Sequence, residues 1–222
     1  MKITYLGHAC VVLGGSKTIL IDPFIPDGEI RIRPDYVAVT HAHADHMGIA
    51  ASYTVPIITN NEIAHYLRGK GCITEAMNIG GTIIVDGISF TMTQALHSSW
   101  IEDEGIGMYG GTAAGFVIRI DGVTVYHAGD TGLFSDMRLI GELYHPDVAL
   151  IPIGGRFTMG PREGMMAAEF IGAPVVIPIH YNTFDKIKQD VSEFARAINE
   201  TTDMKPVILE PGLEYEITGF IE

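Results

Sequence analysis

The stretch YVAVTHAHADH, residues 36–46, runs from an apolar strand straight into three histidines and an aspartate. Tyr36–Thr40 is a continuous apolar run of strand length, the pattern of a strand buried on both faces. Packing does not account for the residues after it, because no core needs four metal-ligating side chains within six positions. Alternation sets His41 and His43 on one side of an extended segment. After a turn, Asp45 and His46 point from the start of a short helix toward a neighbouring position. One loop therefore offers half-sites to two adjacent cations. Imidazole with carboxylate suits zinc, and also manganese or iron.

Four ligands do not complete two sites, so other parts of the chain must contribute. His97 follows the strand pattern Ser89–Gln94, Asp130 follows Val123–His127, and His180 follows Val175–Pro178. Each stands just beyond the C-terminal end of an expected strand, as His41 does, and loops held by a rigid scaffold are where chemistry collects.

Further strands are read at Lys2–Leu6, Ala9–Leu13, Thr18–Ile21, Thr82–Val85, Gly115–Ile120, Val148–Ile151, Val207–Leu209 and Tyr215–Thr218. Gly14-Gly15, Asp86-Gly87 and Asp121-Gly122 supply tight turns. Helical periodicity fits Asn61–Arg68, Leu133–Leu143, Arg162–Ile171 and Phe184–Glu200. Pro161 and Glu163 suit a helix start. The segment 98–111, SSWIEDEGIGMYGG, reads as a mobile loop overhanging the histidines, with Trp100 and Tyr109 set to touch a ligand or a neighbouring subunit of a homo-oligomer.

ACVVLGGSKTILID (9–22) resembles AGFVIRIDGVTVYHAGD (114–130), and each half continues through Pro-Asp to a buried strand, PDYVAVT (34–40) and PDVALIP (146–152). The repeat implies two similar β-rich halves face to face with helices outside: an α+β fold built as a four-layer α/β/β/α sandwich of two mixed sheets.

Composition bounds the function. The chain has 222 residues, a net charge of −13 and a pI near 5.0, with 47% hydrophobic residues. That is globular, and the acidic balance disfavours nucleic acid as a partner. Arg31 and Arg33 read as a solvated corner. Cys10 and Cys72 have neither metal-ligand nor disulfide spacing and read as free thiols. No apolar run reaches membrane-spanning length, so a cytoplasmic protein with a small-molecule substrate and no membrane partner is expected.

The H-x-H-x-D-H hexapeptide at 41–46, together with GHA (7–9), IDP (21–23), HSS (97–99), HAGDT (127–131) and PIHYNT (178–183), resembles the metallo-β-lactamase superfamily across nearly the whole chain. It is most similar to a subgroup of small metal-dependent hydrolases near the ascorbate-phosphate lactonase-like proteins. The resemblance implies one catalytic domain over residues 1–222 without appended arms. It assigns His41, His43 and His97 to one cation, Asp45, His46 and His180 to a second, and Asp130 to a position between them. The implied activity is hydrolysis of a small ester, lactone or phosphoester by a hydroxide bridging two divalent ions, zinc first among them and Mn2+ or Fe2+ as alternatives.

Asp45 would also orient the nucleophile. His8, in the turn after the first strand, would protonate a leaving group or bind substrate. Asp22 and His127 would support the ligands from behind. Two other readings stay open: a di-iron redox enzyme of the same fold, in which a carboxylate usually replaces one histidine, and a metal-binding protein without turnover. His65 and His145 match nothing.

Overall fold

The computed structural model describes residues 1–26 and 29–217. The first half runs through β1 (Lys2–Gly7), β2 (Cys10–Gly14), β3 (Thr18–Ile21), β4 (Tyr36–Ala38), α1 (Ala44–Met47), β5 (Ile57–Asn60), α2 (Asn61–Gly69) and β6 (Thr74–Met77). The second half contributes β7 (Thr82–Val85), β8 (Ile88–Gln94), the hairpin β9 (Trp100–Asp103) and β10 (Ile106–Tyr109), then β11 (Ala114–Ile120) and β12 (Val123–His127). It continues with α3 (Met137–Tyr144), β13 (Val148–Pro152), α4 (Pro161–Ile171), β14 (Val175–Ile179), α5 (Val191–Thr201) and β15 (Lys205–Pro206), and β16 (Glu214–Glu216) comes last.

The first sheet has the order β16-β1-β2-β3-β4-β5-β6, and the second, read from its other edge, β7-β8-β11-β12-β13-β14-β15. Pairings correspond strand by strand. β2 and β3 form an antiparallel hairpin and β4 joins β3 in parallel, as β11, β12 and β13 do. The Pro-Asp dipeptides prove to be matching clamps. The Asp35 N–H donates to the Thr18 carbonyl (2.8 Å) while its carboxylate accepts from the Thr18 N–H (2.8 Å). Asp147 does the same with Thr124, at 2.8 and 2.7 Å. At the β11–β12 turn, Asp121 and Gly122 have φ of 53° and 78°, the left-handed pair that matches the twist of a two-residue hairpin.

Alternation sorts the side chains into layers. Ile19, Ile21, Tyr36 and Ala38 of the first sheet meet Phe90, Phe116, Ile118, Val125 and Leu150 of the second in one core between the sheets. The other faces carry Val37, Val39 and Ile57 under Ile63 and Leu67 of α2, and Val117, Tyr126, Ala149 and Val176 under α3, α4 and α5. The expected α/β/β/α sandwich is the observed architecture.

Several boundaries differ from expectation. The last long helix starts at Val191 rather than Phe184, because the Asp190 carboxylate accepts from the Ser192 and Glu193 N–H groups and caps it there. α3 starts at Met137, not Leu133, since Thr131 and Gly132 are tied to Leu96 and hold the preceding segment out of the helix. The strand expected at 207–209 lies at Lys205–Pro206, where β14 offers its pairing edge. The strand expected at 215–218 is observed as Glu214–Glu216; Thr218 is outside the described residues. Residues 100–109 are not an irregular loop but a paired hairpin. Among the described residues no helix is long and apolar enough to cross a membrane.

Candidate metal centre

The loops after β3, β4, β8, β12 and β14 converge at one edge of the two sheets. Three overlapping groups of ligand atoms result: His41, His43 and His97; His41, His46 and Asp130; and His8, Asp45, His46 and His180, with the atoms of each group within 4.8 Å of one another. Ligand atoms held about 2.05 Å from one tetrahedral cation lie about 3.3 Å apart. His43 Nδ1 is 3.0 Å from His41 Nε2 and 3.3 Å from His97 Nε2. Asp130 Oδ1 is 3.3 Å from His46 Nε2, and its Oδ2 is 3.0 Å from His180 Nε2 and 3.7 Å from His97 Nε2. Asp130 thus faces members of both expected sets.

Supporting groups fix which nitrogen faces inward. Asp22 is fully buried and can only accept; it takes hydrogen bonds from the Thr40 N–H (2.8 Å), the Thr40 hydroxyl (2.8 Å) and His46 Nδ1 (2.8 Å). With its hydrogen spent on Asp22, the Thr40 oxygen receives His41 Nδ1–H at 3.0 Å. Both His41 and His46 therefore turn Nε2 to the centre, the nitrogen that would bind metal once free of a proton. His46 Nε2 and Asp130 Oδ1 are buried with no hydrogen-bond partner, as expected of atoms shaped to hold a cation. The donor set fits the group.

Electrostatics divide the histidines. Burial, reinforced by neighbouring imidazoles, pushes His41 well below the ordinary histidine range. Burial likewise lowers His43 and His97. For His46 burial opposes charging, but Asp130 and Asp22 on either side outweigh it and raise the group well above that range. Asp130 is driven well below the usual carboxylate range because His46 and His180 outweigh its burial.

Backbone strain gathers here: His8, Asp22 and His180 adopt φ of 55°, 47° and 55°, a conformation non-glycine residues hold only when their surroundings fix it. Gly129 is required at φ 62°, where a Cβ would sit 2.4 Å from the Ala114 carbonyl oxygen. It swings Asp130 inward.

The remaining expected residues take varied places. His8, read as a proton donor to a leaving group or a substrate-binding residue, has a side chain with 0% exposure, and its Nε2 faces Asp45 Oδ2 at 3.3 Å. His127 touches no candidate ligand side chain; its Nε2–H donates to the Ala9 carbonyl (3.0 Å) and its Nδ1 accepts from the Gly129 N–H (3.1 Å), so it sets the path of the loop that carries Asp130. Trp100 and Tyr109 face each other across the hairpin, 52% and 65% exposed. The hairpin reaches the histidines through its base. Ser99 Oγ accepts from the Ala42 N–H and donates to the Gly110 carbonyl, and Ser98 Oγ lies 3.4 Å from His43 Nε2. Sequence reasoning misses Thr40, Ser98, Ser99 and Thr183. Only Thr40 and the two serines carry a signal, their adjacency to His41 and His97.

A family model described as a β-lactamase superfamily domain matches residues 2–180, a span that includes every candidate ligand. A UPF0173 metal-dependent hydrolase of Methanospirillum hungatei is 92% identical over 98% of this chain and 99% of its own. One from Methanoculleus marisnigri is 61% identical over 98% and 97%. Among solved structures, Igni18, a metallo hydrolase from the hyperthermophilic archaeon Ignicoccus hospitalis, is 36% identical and matches with a TM-score of 0.86 over 98% of this chain and 99% of that one.

Proposed function

Because this chain belongs to the metal-dependent hydrolases of the β-lactamase superfamily, we propose that it cleaves a small ester, lactone or phosphoester at a centre of two divalent cations, zinc in our reading, in the cytoplasm. The observation that carries this is the meeting of His43 Nδ1 with His41 Nε2 and His97 Nε2 at 3.0 and 3.3 Å, while Asp130 reaches from that group to His46 and His180. When bound, the cations would lower the pKa of a water toward neutrality and polarise the electrophile's oxygen.

The chain's own residues do the rest. His41, His43 and His97 would hold one cation, Asp45, His46 and His180 the other, with Asp130 available to both. Asp22 keeps His46 turned inward through Nδ1, and Thr40 does so for His41. Asp45 would bind the second cation through Oδ2, the oxygen that faces His8, which leaves Oδ1 to orient the attacking water. His43 and His97 on one side and Asp45 on the other are partly exposed while His41, His46 and His180 are buried, so a small substrate would reach the centre across His43, Asp45 and His97.

The test is metal analysis of the purified chain, then a screen of lactones, phosphomonoesters, phosphodiesters and thioesters with and without chelator. Two zinc ions per chain and chelator-sensitive cleavage of one class are expected. A coloured iron centre that consumes dioxygen, or a metal-loaded chain inert to every class, would overturn the reading.

A further inference from the structure

Resting on that two-cation reading, we infer that His8 is a further protein ligand of the second cation, joining Asp45, His46, His180 and the shared Asp130 through its Nε2. With Asp130 shared, the second cation would then have five protein donors and the first four, so the open position belongs to the His41–His43–His97 side.

Three independent observations carry this. The first is position: the ligand atoms of His8, Asp45, His46 and His180 all lie within 4.8 Å of one another. The His8 carbonyl accepts from the His180 N–H at 2.6 Å, and the two rings sit 4.1 Å apart between centroids. The two histidines are thereby fixed as a pair.

The second is hydrogen placement. Thr183 Oγ1 lies 3.4 Å from the Tyr181 carbonyl, an acceptor that takes its hydroxyl hydrogen. The same oxygen lies 3.1 Å from His8 Nδ1, which therefore supplies the hydrogen of that contact. His8 Nε2 is left with a lone pair directed at a carboxylate oxygen that also only accepts. Thr40 treats His41 in the same way. The separation of His8 Nε2 from Asp45 Oδ2, 3.3 Å, exceeds the roughly 2.7–2.9 Å of a charge-assisted hydrogen bond. It equals the distance of about 3.3 Å expected between two atoms bound to one tetrahedral cation.

The third is the repeat. His8 lies in the connection from β1 to β2, and His97 in the corresponding connection from β8 to β11. Each half thus sends one histidine from the same link toward the centre, His97 to the first group and His8 to the second.

The test counts metal–nitrogen bonds directly. The full chain, labelled with a magnetic nitrogen isotope in its histidines, is loaded with a spin-active cadmium isotope. Scalar coupling between the two nuclei requires a bond. Coupling is expected at His8, His41, His43, His46, His97 and His180, and in His8→Gln the His8 coupling alone disappears. The affinity of that variant for its second cadmium is expected to fall more than about 100-fold, beyond what loss of a merely supporting partner costs. Two cadmium ions bound with no coupling at His8 overturn the assignment and leave the two-cation reading standing. A single cadmium per chain overturns both. The wild-type spectrum decides even if the variant fails to fold.

Discussion

GGRFTMG, residues 154–160, follows β13 as the histidine loop follows β4, yet it carries no candidate ligand. The strand pairings match Ala38 with Leu150, so Ile153 occupies the place of His41. The same register sets Ala128 where Asp22 stands, and Asp130 lies two residues beyond. That extra step separates a carboxylate behind His46 from one in front of it. What the halves share is backbone carpentry: matched hairpins, matched parallel strands and matched aspartate clamps. What they do not share is chemistry, which was written into the loops. Asymmetry of the loops on a symmetric frame gives a centre to which one loop, residues 41–46, brings four of the candidate ligands.

The sharpest way to break this comparison is to remove the aspartate in front. Asp130→Asn is expected to lower metal occupancy and kcat/KM together by more than about 100-fold, read by metal analysis and turnover of whichever substrate class the screen identifies; full activity would refute its place between the cations. Asp22→Asn acts from behind. It upsets contacts to Thr40 and His46, so metal affinity is expected to fall about 10–100-fold, and urea unfolding of the metal-free chain to show a loss of about 2 kcal/mol.

The clamps sharpen the other side of the comparison. Asp35→Ala and Asp147→Ala should each cost about 1.5 kcal/mol by urea unfolding and agree within about 0.5 kcal/mol, without changing metal content. Costs differing by more than that would mean the halves are alike in outline only. Asp35 adds a pH signature. The Thr18 N–H holds its carboxylate below the ordinary aspartate value of 3.8. A depressed folded value gives stability that is present above 3.8 and lost as pH falls through the lower folded value, so the gap between wild type and Asp35→Asn should close in that acid window. The smallest effect is expected at the hairpin: Trp100→Ala should raise KM about fivefold, roughly 1 kcal/mol, with kcat unchanged.

Much of this was legible in residues alone. Most buried strands announce themselves as short apolar runs, though Ile57–Asn60 went unread, Asp-Gly turns name their hairpins, and candidate ligands beyond strand ends follow from both. β6 was not legible, because Thr74–Met77 is an edge strand with Glu75 and Ala76, residues of low strand preference that pair on one side only. The hairpin at 100–109 was hidden by its glycines and acids, and its base is secured by Asn60 and Ala42, distant in sequence. The apolar periodicity of 184–200 ran across Asp190, whose capping role depends on backbone conformation. Around the centre, adjacency to His41 points to Thr40, but how Thr40 and Thr183 orient their histidines was invisible because a hydroxyl's meaning lies in which acceptor takes its hydrogen.

His46 is gripped by Asp22 from one half and Asp130 from the other. A cation seated beside it would recognise only the assembled pair of sheets and have no comparable host in the unravelled chain. Every tenfold rise of free ion above its dissociation constant would then add about 1.4 kcal/mol of resistance to unfolding. The supply of an inorganic nutrient would in that way govern how long each copy of the chain survives heat.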